Sequence, residues 1–123
     1  MGWGANDCDF DVLVGKTIVE VDVRNGNNAE IVFKCSDGTV YTTYHSQDCC
    51  ESVWFEDSDN APISLEGETI VVAYVNCEDN PNAYESGTYT FYTLASRNVS
   101  VTFRFNGESN GYYSESVDFR QVC

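Results

Sequence analysis

Thr88-Tyr89-Thr90-Phe91-Tyr92-Thr93-Leu94, followed by Val99-Ser100-Val101-Thr102-Phe103-Arg104-Phe105, is the stretch that decides the fold class. Both segments are rich in β-branched and aromatic residues, and their side chains alternate with a period of two. A helix would need apolar residues spaced by three and four. Tyr112 to Val122 alternates in the same way, with Arg97-Asn98 and Gly107-Glu108-Ser109-Asn110-Gly111 as the joints. The pattern predicts consecutive antiparallel strands.

The same rhythm extends towards the N-terminus. Val19, Val21 and Val23 alternate with Glu20, Asp22 and Arg24, the mark of a half-buried strand. Asn25-Gly26-Asn27-Asn28 reads as a turn, and Ile31, Phe33 and Cys35 then alternate with their neighbours. Ser36-Asp37-Gly38 is a tight-turn signal, because glycine accepts positive φ without strain. Val40 to His45 returns as the third strand of a meander. Ser52 to Glu56 reads as a short strand with Val53 and Phe55 on one face, and 57–62 as a surface loop. Thr69 to Cys77 is apolar on both faces, which predicts a central strand covered on two sides. About eight strands with regular turn signals make an all-β fold, either a single antiparallel sandwich or a partly open barrel. At most one or two short helical turns are expected. Residues 1–123 read as a single domain, with 1–14 as its least determined segment.

Composition narrows the function. A hydrophobic fraction of 42%, with eight Tyr, seven Phe and two Trp, supplies one core. The formal charge is −14, from 20 acids against six Lys and Arg. Between Lys34 and Arg97 there is no Lys or Arg, and there are eleven carboxylates. A field of that sign repels phosphate backbones, so direct nucleic-acid binding is not expected; a protein partner, and a basic one, suits it better. No apolar run is long enough to span a bilayer, so no membrane partner is expected. Residues 1–7 show neither the basic nor the apolar part of a secretory signal, and the expected location is cytoplasmic. Six cysteines are then expected to be mostly reduced. Oligomeric state is not legible.

One motif is chemically loaded: His45-Ser46-Gln47-Asp48-Cys49-Cys50-Glu51. His45, Cys49 and Cys50 carry the atom types that hold zinc, with Cys35 or Cys77 as a further ligand, although adjacent cysteines rarely ligate one ion without strain. A Cys49 or Cys50 nucleophile with His45 as base is the enzymatic reading, but Asp48 and Glu51 oppose thiolate formation. The plain reading packs one cysteine inward, while His45, Gln47 and Asp48 satisfy backbone groups of a loop. No catalytic residue is assigned and no cofactor is expected, zinc being the alternative. Asp57-Ser58-Asp59-Asn60 is rich in oxygen ligands but lacks the glycine and distal glutamate of a helix-loop-helix calcium site. Tyr112 and Tyr113, beside a glycine turn, should face opposite ways, one as core and one as a contact residue.

Leu13-Val14-Gly15-Lys16-Thr17-Ile18, Asp37-Gly38, His45 through Glu51, Thr90-Phe91-Tyr92-Thr93-Leu94-Ala95 and Asn110-Gly111-Tyr112-Tyr113-Ser114-Glu115-Ser116-Val117 together resemble a family of small domains of unknown function. Its members occur mainly in bacteriophage, prophage and environmental viral sequences. The resemblance implies a phage-type accessory protein inside an infected bacterium and implies no reaction. The reading is therefore a non-catalytic binding module whose acidic surface engages a protein partner, with a nucleic-acid mimic as its sharpest version. A metal-stabilised or redox-responsive domain centred on His45, Cys49 and Cys50 is the alternative, and a small cysteine-dependent enzyme the third.

Overall fold

The computed structural model describes residues 8–24, 30–45, 51–83, 85–110, 115 and 117–122. Within them lie eight strands: β1 (Ile18–Arg24), β2 (Glu30–Cys35), β3 (Val40–Tyr44), β4 (Ser52–Ser58), β5 (Val72–Asp79), β6 (Ser86–Ala95), β7 (Ser100–Ser109) and β8 (Asp118–Gln121). Among the described residues the helical elements are two 3-10 turns, Phe10–Leu13 and Pro62–Leu65, and no helix is long and apolar enough to cross a membrane. All strand pairing is antiparallel, in two four-stranded sheets ordered β1-β2-β3-β8 and β4-β7-β6-β5. The sheets stay open at their edges. The expected sandwich is present, and the barrel is not.

The meander β1-β2-β3 forms as its alternation predicts, with one adjustment. Ile18 pairs with Cys35 but Glu20 pairs with Lys34, so Val19 is an extra residue in the ladder. Such a bulge resets the alternation. Ile18 points into the core, Val19 is turned out to 50% exposure, and Val21 and Val23 pack back against the core. At the β2–β3 turn Gly38 takes φ +89°, and Asp37 accepts from Lys16 Nζ at 2.6 Å and from the Thr39 amide at 3.0 Å. The Lys16 ammonium and the Thr39 donors hold the Asp37 carboxyl well below the usual carboxylate range. The turn Asn25-Gly26-Asn27-Asn28 lies outside the described residues.

The core is an interlock of rings. Phe33 of one sheet meets Phe103 of the other edge-on at 5.7 Å. Phe10, carried in by the first 3-10 turn, sits edge-on to Tyr92 at 4.7 Å and to Phe119 at 4.9 Å. Phe119 in turn stacks on Tyr41 at 5.5 Å. Aliphatic side chains of Leu13, Ile18, Leu65, Ile70, Leu94 and Val101 fill the remaining space, all wholly buried.

Three expectations fail. Thr69 to Cys77 is not a central strand: β5 is the outermost strand of its sheet, with Val72, Tyr74 and Val75 exposed by 44–49%. A sandwich covers only side chains that the opposite sheet overlies, and β5 lies at the margin. Among the described residues the last strand is Asp118–Gln121, with Glu115 and Val117 outside it, and it pairs with β3. Crossing to the first sheet seats Phe119 among the rings at 4% exposure. Finally, 107–111 is not simply a joint, because β7 continues through Gly107 to Ser109.

Phe103 is fully buried at the contact between sheets. Phe103→Ala should cost about 3–5 kcal/mol by transfer and cavity terms. Urea titration with an unchanged m value checks this; a loss below about 1 kcal/mol would show that the rings do not hold the sheets together.

Candidate functional site

β3 ends with Tyr44 opposite Asp118, and β4 begins with Ser52 opposite Glu108. The strand ends joined by the two crossovers between sheets, 45–51 and 110–117, therefore lie at one end of the sandwich. The β5–β6 connection joins them there, because Ser86 pairs with Ser109. This pole is rich in covered polar groups. It holds Glu51, Asn80, Asn106 and Glu115, all buried, while the other buried polar residues described are threonines.

His45 and Glu51 flank the first crossover and close on each other. Glu51 Oε2 lies 2.8 Å from His45 Nε2, and their side chains are 0% and 4% exposed. The sequence motif is thus pinned at both ends by a buried pair. Gln47, Asp48, Cys49 and Cys50 between them lie outside the described residues, as do Tyr112 and Tyr113.

Glu115 is the second buried carboxylate. Thr88 Oγ1 donates to it at 2.8 Å, and the hydroxyls of Ser109 and Ser86 donate as well. Burial pushes its carboxyl up, but the three donors outweigh burial and hold it below its ordinary value of 4.5. Its backbone lies on β7: a Cβ on Gly107 would come within 2.6 Å of the Glu115 carbonyl oxygen, so only glycine leaves room. On the outer face, Asn80 Nδ2 donates to Asn106 Oδ1 at 3.1 Å and folds the 80–83 turn over Gly87.

Sequence reasoning named His45 and Glu51 and missed the rest. Glu115 stood in a quoted motif without a role, and Asn80, Asn106, Ser86, Thr88 and Ser109 were given none. The available signal was the pair Gly87 and Gly107, since glycine inside a strand often marks close approach of another segment.

The geometry gives these groups structural work. His45 Nε2 is committed to a buried glutamate, which weakens its use as a ligand or a base. Cys35 pairs with Ile18 at the far end of the first sheet, so the length of β3, roughly 16 Å, separates it from His45. Cys77 is exposed on β5. Among the described residues no cluster of three or more His, Cys, Asp or Glu could hold a metal ion. The oxygen-rich segment is also spent internally: Asp57 accepts from Arg104 at 2.8 Å and Asp59 from the Thr102 amide at 2.8 Å. They border an open hollow of about 360 Å³ shared with Phe91.

A family model described as a domain of unknown function, DUF7448, matches residues 11–119. The chain belongs to that family. No curated protein and no solved structure matches it. The DUF7448 match takes in the His45–Glu51 pair, the Glu115 pole and every strand, with β8 entering it through Phe119.

Two outcomes follow for the pole. Glu51→Ala removes the acceptor at His45 Nε2 and should cost about 1.5–3 kcal/mol, read by urea unfolding; a loss below about 0.5 kcal/mol would leave the pair without a structural role. Glu115→Gln should destabilise the domain at pH 7 by about 1–3 kcal/mol. A carboxyl lowered in the folded state contributes stability above its unfolded value and loses it as pH falls. The difference from wild type should therefore shrink below pH 4.5, and a gap constant down to acid pH would contradict the assignment.

Proposed function

We propose that this DUF7448 domain is a non-catalytic binding module that engages a basic protein partner through its acidic exterior. We place it as a phage-type accessory protein in the cytoplasm of a bacterial host. The observation that carries the reading is how the bases are spent. Of the six, four sit in ion pairs: Lys16 with Asp37, Arg24 with Asp22, Lys34 with Glu20 and Arg104 with Asp57. Arg120 lies over the Tyr44 ring at 4.5 Å. The exposed carboxylates of Asp9, Asp11, Glu78, Asp79 and Glu85 then dominate the outer field.

Such a surface steers a positively charged partner and rejects polyanions. The non-catalytic half of the proposal draws support from the same economy of groups, because the His45 side chain, Glu51 and Glu115 are buried and hydrogen-bonded within the fold.

Affinity capture from a bacterial host lysate tests the reading. A basic protein should be retained at about 0.1 M salt and released near 1 M, where the screening length contracts from about 10 Å to about 3 Å. Retention unaffected by salt, or capture of acidic proteins alone, would overturn it.

A further inference from the structure

Each edge of a β-sheet offers unpaired N–H and C=O groups, and natural proteins blunt such edges with bulges, charges, prolines or short length. Three of the four edges described here are blunted. β1 carries the bulge at Val19 and the alternating charges of Glu20, Asp22 and Arg24. β4 carries a second bulge, where Phe55 pairs with Phe105 and Asp57 with Arg104, leaving Glu56 as the extra residue. β8 is only four residues long and bears Asp118 and Arg120.

β5 has none of these devices over most of its length. Its eight residues keep unbroken register with β6, from Val72↔Ala95 to Asp79↔Thr88. It contains no proline, glycine, lysine or arginine. Val72, Tyr74 and Val75, with Val71 just before them, are 44–49% exposed, and no described strand pairs with its outer side.

The direction of its backbone groups follows from one bond. The Asn80 amide donates to the Gly87 carbonyl at 2.9 Å, which makes 80 and 87 a hydrogen-bonded pair in this register. Such pairs alternate along an antiparallel ladder. Glu78, Asn76 and Tyr74 therefore turn their backbone groups towards β6. Val75, Cys77 and Asp79 turn theirs outward.

We propose that the outer edge of β5 receives an extended, lysine- or arginine-bearing segment of a partner protein, which adds to the sheet as a fifth strand. This rests on the acidic-module reading and specifies its mode. Main-chain bonds to Val75, Cys77 and Asp79 supply attachment, and exposed valine and tyrosine side chains flank them. Charge complementarity identifies the occupant. Glu78 and Asp79 end the strand, and the 3-10 turn packed against β5 adds exposed Asp11, with exposed Asp9 just before it. Neither element carries a base. A second copy of this chain would bring another −14 to the same edge.

Val75→Pro isolates the idea, because the amide it removes faces outward and the β6 ladder is left intact. Val75→Lys is the second variant, should proline unfold the domain. The probe is a set of ten-residue synthetic peptides alternating threonine and valine, with two lysines at either end, and glutamate counterparts as controls. Hydrogen exchange should show slowed exchange at the Val75, Cys77 and Asp79 amides with lysine peptides and not with glutamate ones. Either variant should weaken binding at least tenfold. No slowing at these amides with any lysine peptide would overturn the proposal. So would a dimer by sedimentation that Val75→Lys dissolves, since the edge would then belong to a second copy. Salt-sensitive capture of a basic host protein that survives both variants would overturn the edge and leave the acidic-module reading standing.

Discussion

The structure depends on aromatic side chains that interlock between two sheets which share few hydrogen bonds. A ladder holds strands within a sheet, while one sheet is held on the other by side-chain packing, with backbone bonds from Ile18 to Gly67 and Glu68 beside it. Phe33 against Phe103 makes that contact directly, and Phe10 wedges beside it between Tyr92 and Phe119. Bulges, crossovers and the polar pole are arranged so that these rings meet. The Val19 bulge returns Val21 and Val23 to the interior, and the last crossover delivers Phe119.

The polar pole is the counterpart of that packing. A chain that changes sheets twice at one end must bring backbone and loop segments under cover, and covered polar groups need partners. Glu115 and its three hydroxyl donors, the His45–Glu51 pair and the Asn80–Asn106 contact meet that need. Their chemistry resembles that of a reactive centre when seen only as residue types. Their hydrogen bonds are made within the fold.

Period-two alternation was enough to place the meander and the β6–β7 hairpin, because in those strands local pattern and burial agree. It misled at Thr69 to Cys77, where apolarity on both faces belongs to an exposed edge strand as well as to central ones. Alternation also gave no account of strand order, so the transfer of β8 to β3 was invisible. For the candidate site, His45 and Glu51 stood out by residue type, but their closure on each other depends on two sheet ends meeting, which no local pattern encodes. Thr88, Ser109 and Glu115 look like surface residues in sequence, and only the close approach at Gly107 makes them interior.

The position of β8 bears on how the chain reaches its native state. Phe119 belongs to the centre of the interior, and the Cys8 amide donates to its carbonyl at 3.1 Å, so the first and last described elements meet. During synthesis the interior stays incomplete until that final strand has left the ribosome. Contacts so distant along the chain also make for slow closure, since loop entropy is lost before they form. Any product that stops short of Phe119 presents unfilled aromatic surface, the form that chaperones and proteases recognise.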